Sequence, residues 1–236
     1  MMPYYGGYYG FDPTYLLVVA GALLSMWASS RVNGTFQKYS GVRSRAGMTG
    51  AEAARKILHS QGIYDVAVQA VRGQLTDHYD PRTKTVNLSE PVYASTSVSA
   101  IGVAAHECGH AIQDHVGYTP LRLRAAFVPV ANLGSTLSWP LILLGLVIGL
   151  TPFIQVGIWM FVLALLFQVI TLPVEFNASG RAVALLGQIG ILQEAEVGDT
   201  KKVLGAAALT YVAAVAASVL QLLRLLILFG GRRRDD

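Results

Sequence analysis

Charge and cysteine are what this sequence has least of. Only 14% of the 236 residues are charged, against roughly a quarter in an ordinary soluble domain, and mean hydropathy is +0.47. That composition excludes a conventional water-soluble globule and points to the membrane. A single cysteine, Cys108, excludes an internal disulfide framework and any zinc cluster built from cysteines alone. The start, "MMPYYGGYYGFDP", has no basic residue, which argues against a cleaved secretory leader with its positive first region; its tyrosines suit a membrane interface. Net charge is only +4, and the basic residues are scattered or flank apolar runs. They read as topology signals, and nucleic acid is not an expected partner.

The charge that exists is concentrated between Arg31 and Arg124, long enough for a small folded core. Around that block lie apolar runs near the roughly 20 residues needed to span a bilayer. Thr14 to Ser30 is read as a first transmembrane helix, and Ser135–Phe153 with Gln155–Val174 as a transmembrane hairpin turning near Thr151-Pro152. Val203 to Phe229 is long enough for a fourth crossing, although that would carry Arg232, Arg233 and Arg234 outside, against the positive-inside tendency. Arg31, Lys38, Arg43 and Arg45 follow the first span while only Asp12 precedes it, which places the N-terminus outside and the polar block in the cytosol.

The expected organisation is therefore an α+β membrane protein, a small domain of helices and a sheet on a mostly four-helix anchor. Its segments are 1–30 (start and first span), 31–134 (cytosolic domain), 135–174 (hairpin), 175–202 (a helix beginning at Glu175 that completes the domain) and 203–236 (last apolar helix and basic tail). Within the domain, Thr49 with Glu52 three residues on forms a capping box for a short helix ending near Gly62. "VAVQAV" and "QLTDHYDPRTKTVNLS" read as strands with a turn at Asp80-Pro81, and a long helix starts from a cap among Ser95 to Ser99.

That helix carries "AAHECGHAIQD". Residues four apart on a helix lie nearly above one another, so His106 and His110 can direct imidazole nitrogens at one point. Glu107 then stands where a general base is needed to take a proton from a water acidified by zinc. With five histidines and fourteen acids in the chain, such a pattern rarely arises by accident. Cys108 is turned about 200° from His106 and reads as core. The longer histidine pattern H-E-x-x-H-x-x-G-x-x-H fails, because Gln113 and Val116 occupy the required glycine and histidine positions. Asp114 is either a support for a ligand or a solvated acid at the helix end.

A catalytic zinc commonly has three protein ligands. Glu175, just after a crossing that returns to the motif's side, is the best third candidate; Glu194 and Glu196 share a charged stretch better explained as a solvated face. Ser179, one turn beyond Glu175, can orient a liganding histidine, with Asn177 and Arg181 weaker candidates. For the donor that steadies a developing oxyanion, Tyr93, Tyr118, His78 and Tyr211 are the options.

"AAHECGHAIQD" followed by "PVEFNASGRA", with a sheet before them and apolar helices around them, resembles the YugP-type membrane zinc metallopeptidases, a gluzincin-like family, over nearly the whole chain. It is similar in outline to the HtpX-type membrane proteases, though Ser179 stands where those often have aspartate. The resemblance implies a zinc-dependent endopeptidase with one Zn²⁺ on His106, His110 and Glu175 and with Glu107 catalytic. It also implies an edge strand beside the motif helix that receives the substrate backbone, for which "KTVNLS" is the expected segment, with Asn87 and Ser89 in it. The substrate implied is polypeptide, unfolded or membrane-associated, and the location a multi-pass protein of a bacterial-type cytoplasmic membrane with its site in the cytosol. A homo-oligomer or a regulatory membrane partner is compatible with this reading. The alternative is a non-catalytic membrane scaffold holding zinc, but a structural site needs no base at Glu107 and calls for a fourth protein ligand. A transporter fits poorly, since the spans hold almost no ionisable residues.

Overall fold

The computed structural model describes residues 12–230; the tyrosine-rich start before Asp12 and the Arg232–Arg234 tail lie outside them. Four helices are long and apolar enough to cross a membrane: α1 (Tyr15–Ser40), α5 (Thr119–Ile148), α6 (Thr151–Gln188) and α7 (Glu194–Phe229). Between α1 and α5 lie α2 (Gly50–Ser60), β1 (Ala67–Val71), β2 (His78–Asp80), β3 (Thr85–Ser89), the short α3 (Glu90–Tyr93) and α4 (Val98–His115). The α+β architecture is as expected.

The capping signals act where the sequence puts them. Thr49 Oγ1 accepts from the Glu52 N–H while Glu52 accepts from Thr49 N, closing the capping box of α2, and Ser97 caps α4 by accepting from Ala100 N at 3.2 Å. The long helices, however, do not stop at the limits their apolar runs suggest. The first runs ten residues past Ser30 to Ser40, and α5 begins at Thr119 instead of Ser135. Glu175 does not begin a helix: it lies inside α6, which continues from the apolar run into the domain. Pro173 lies within that helix, whose neighbours let it tolerate the loss of one backbone donor. The hairpin turns at Gly149-Leu150, where Gly149 takes a left-handed φ of 71° and its N–H caps Gly145 O.

Glycines let the helices approach. A Cβ on Gly157 would sit 2.7 Å from Ser138 O, and one on Gly134 would sit 2.6 Å from Met160 O, the small-residue contact that substitutes for hydrophobic drive between helices in lipid. α1 packs along α7 in the same way, Gly21 against Ala217. Arg224, unexplained in an apolar run, places its guanidinium 3.6 Å from Asp12 Oδ2 and 4.2 Å over the Tyr15 ring. The C-terminal end of α7 therefore lies beside the start of α1, and the other ends of both helices meet at Tyr39 and Lys202.

The domain core gathers Ile57 and Leu58 of α2, Val86 and Leu88 of β3, Ile101, Ala105 and Cys108 of α4, and Leu186 of α6. Anchor helices thus contribute directly to the domain. The sheet has order β1-β3-β2, with β1 parallel and β2 antiparallel to β3. This corrects the substrate-strand expectation: β3 is central, paired with β1 along its length and with β2 over Thr85–Asn87, and the outer edges of the sheet belong to β1 and β2.

Candidate metal centre

α4 and α6 cross at Gly109, where a Cβ would lie only 2.6 Å from Ala178 O. This close approach brings the motif face of α4 onto the turn of α6 that carries Glu175 and Ser179. His106 Nε2 lies 3.3 Å and His110 Nε2 3.6 Å from Glu175 Oε2, and the three side chains form the group of metal-capable donors found among the described residues. Separations of this size match the edge of about 3.3 Å expected of a tetrahedron with metal–nitrogen bonds near 2.0–2.1 Å.

The hydrogen bonds around the imidazoles show what the centre needs. Gln113, wholly buried, donates from Nε2 to Val174 O at 2.8 Å and to Asn177 Oδ1 at 3.0 Å, so its Oε1, 3.0 Å from His110 Nδ1, accepts. His106 Nδ1 pairs with Ser179 Oγ at 3.0 Å. The Gln113 oxygen thus holds the proton on Nδ1 of His110 and turns its Nε2 lone pair toward Glu175, whose Oε2 is buried without any hydrogen-bond partner, and a Ser179 hydroxyl accepting from His106 Nδ1 would orient the second ring in the same way. Two imidazole nitrogens and a carboxylate oxygen facing one another at these distances suit a shared cation. Zinc fits this donor set of two imidazoles and a carboxylate.

Ser179 is the hydrogen-bond partner of His106 Nδ1, while Asn177 touches Gln113 and is steadied by Arg181 Nε at 2.8 Å. Gln113 is the residue the sequence reading missed. Its signal was available: three residues after His110, it shares that histidine's face of the helix. In the absence of metal, burial works against a charged His110, yet the Glu175 carboxylate close to its ring and the charge of Glu107 prevail and raise its pKa. Protons and metal consequently compete for the same nitrogen.

Glu107, nearly buried, lines the same cavity of about 330 Å³ as the three ligand candidates, together with His78, Arg124 and Tyr211. Arg124 of α5, which the sequence did not single out, lies 3.4 Å by Nη1 from Glu175 Oε1. Of the four proposed oxyanion donors, Tyr93 is engaged with Arg55 elsewhere and Tyr118 does not line the cavity. His78 has both ring nitrogens occupied, by Thr76 O at 2.8 Å and Asn87 Nδ2 at 3.2 Å. Tyr211 remains.

The other sequence candidates fall outside the centre. Asn87 touches His78 and not the ligands. Ser89, 1% exposed, holds the carboxylate of Asp77 through its N–H and hydroxyl and is not available to a substrate backbone. Cys108 faces Ala54 O at 3.5 Å in the core. Asp114 supports no ligand; it accepts from Tyr79 OH at 2.8 Å and Lys84 Nζ at 3.0 Å. Glu196, expected on a solvated face, is buried and accepts from Arg45 N and Gln193 N at 2.7 and 2.9 Å, whereas Glu194 is exposed.

Comparison with known proteins agrees with this centre. Residues 14–230 match the family described as "Putative neutral zinc metallopeptidase". Over 220 residues the chain is 49% identical to a protein of Bacillus subtilis (strain 168) named "Putative membrane protease YugP", a similarity covering 93% of this chain and 98% of that relative. No solved structure matches it. With its two histidines, its carboxylate and its apolar helices all inside the matched span, the chain belongs to this family of neutral zinc metallopeptidases.

Proposed function

We propose that the chain is a membrane-anchored endopeptidase that holds one zinc ion on His106, His110 and Glu175 and uses Glu107 as its general base. The observation that carries the proposal is the convergence of two imidazoles and the buried, unpartnered Glu175 carboxylate oxygen beside a second carboxylate, Glu107, in one cavity. Zinc, when bound, supplies a Lewis acid able to bring the pKa of a water toward about 7. Glu107 takes a proton from the attacking water and delivers it to the amide nitrogen of the departing segment. Tyr211, by its hydroxyl, and Arg124, by its guanidinium, stand where donors can meet the negative charge growing on the peptide oxygen. The gluzincin assignment rests on the carboxylate third ligand.

The substrate reading is an extended polypeptide lying on the free edge of β2, whose His78 and Tyr79 line the cavity, its backbone pairing with that edge. For topology we propose four crossings with the domain in the cytosol. Arg31, Lys38, Arg43 and Arg45 gather at the domain end, and the one described cation near the opposite end, Arg224, is neutralised by Asp12.

The test compares wild type with Glu107→Gln in detergent, by bound metal and by hydrolysis of casein. Retention of about one zinc by both, with hydrolysis lowered by 10²-fold or more only in the variant, is the expected outcome. Equal hydrolysis by both proteins would remove Glu107 from the mechanism.

A further inference from the structure

A groove of about 620 Å³ lies away from the metal centre, between the domain-side ends of α1 and α7, and its walls change character along its length. Trp27, half exposed, lines it where the apolar run of α1 stops; Arg31 and Lys38, two turns apart on that helix, and Lys202 of α7 supply its cations. From Trp27 to Lys38 is roughly 16 Å along a helix, comparable to the depth of a lipid's headgroup and upper chain region. Tyr39 lies between the two ammonium groups, 5.3 Å from Lys38 Nζ and 5.9 Å from Lys202 Nζ. Lys202 is paired with Asp199 at 2.8 Å, an acid whose charge Lys38 also feels, but among the described residues neither Arg31 nor Lys38 makes an ion pair within 4 Å.

We propose that this groove is a binding site for one anionic phospholipid, its phosphate held by Arg31, Lys38 and Lys202 and its upper chain against Trp27. Basic residues beside a span are expected from topology alone, and a diffuse attraction to an anionic leaflet follows from any such cluster. Two observations go further. The cations come from two different helices onto one concavity, and the concavity exists because its floor lacks side chains: a Cβ on Gly34 or on Gly205 would meet nothing within 4 Å. The occupant is a lipid and not a free phosphate, because Trp27 and Leu209 extend the site into the apolar layer.

Gly34→Leu provides the decisive variant, since it fills the groove while leaving every charge in place. Trp27 is made the sole tryptophan by Trp139→Phe and Trp159→Phe, and the protein is reconstituted in bilayers containing brominated phosphatidylglycerol or brominated phosphatidylcholine. The parent should show at least about threefold stronger quenching by the anionic lipid. Gly34→Leu, and separately Arg31→Gln with Lys202→Gln, should bring the two lipids to parity. Should Gly34→Leu melt earlier than the parent, Gly205→Leu fills the same space from α7. Equal quenching in the parent overturns the proposal. So does a preference that survives both groove-filling variants and yields only to charge removal, which is general surface attraction. Loss of the preference on adding millimolar soluble glycerol phosphate reassigns the site to free phosphate and overturns it as well.

Discussion

At the residue scale, the centre depends on which nitrogen each histidine offers, and Gln113 decides that for His110. Its side-chain oxygen holds the Nδ1 proton only because Val174 O and Asn177 Oδ1 fix its amide the other way round. Gln113→Leu removes that fixed acceptor, and zinc affinity measured by chelator competition should fall about 10- to 100-fold, with Glu107 and the three ligands untouched. His106, Glu107 and His110 were legible because their geometry is local, one turn of one helix. Gln113 was legible in principle by the same spacing, but only the packing of α6 shows that its amide has partners there. Arg124 had no signal at all, since its distance to Glu175 is set by how α5 leans against α6.

At the element scale, the crossing of α4 and α6 is the critical joint. Gly109→Ala pushes a methyl group into the Ala178 carbonyl. Helix separation should cost about 1–3 kcal/mol, read as an earlier melting transition together with weaker zinc binding. Gly180→Ala, at an α6 position where a Cβ meets nothing, should be neutral or slightly stabilising through helix propensity. The β2–β3 hairpin is tied to the end of α4 by Asp114. Burial opposes its charge, but hydrogen bonds from Lys84 and Tyr79 outweigh that and hold its pKa below the ordinary carboxylate value. A depressed carboxyl stabilises the fold above its unfolded pKa and loses that contribution as pH falls through the folded one. The melting-temperature advantage of wild type over Asp114→Asn should therefore be full at neutral pH and shrink on acidification below about pH 4. Strand order was not legible: β1 and β3 both alternate as strands should, and periodicity carries no information on which one lies in the middle.

At the scale of the whole molecule, anchor and domain are one structure. α6 carries the third ligand candidate from the membrane side into the core, α7 brings Tyr211 to the cavity, and α1 meets α7 at both ends. The proposed sidedness rests on the charges at the domain end, and it is directly testable. With Cys108 buried, a Ser60→Cys variant has one accessible thiol, at the exposed end of α2. In intact cells it should react with a membrane-permeant maleimide and not with an impermeant one; labelling by both would place the domain outside.

The sequence alone determined the candidate metal motif and the solvent: a histidine pair with its glutamate at helical spacing, few other acids able to complete a metal site, and four apolar runs of spanning length. These are properties of short segments, readable from spacing and composition. Only the tertiary structure decided where the long helices end, that β2 and not β3 offers a free edge beside the cavity, and that Gln113, Arg124 and Tyr211 join the centre. Each of those depends on how close two distant elements can approach. That distance is set by the side chains both present at the crossing, as Gly109 against Ala178 shows, and no single stretch of sequence contains both halves of such a contact.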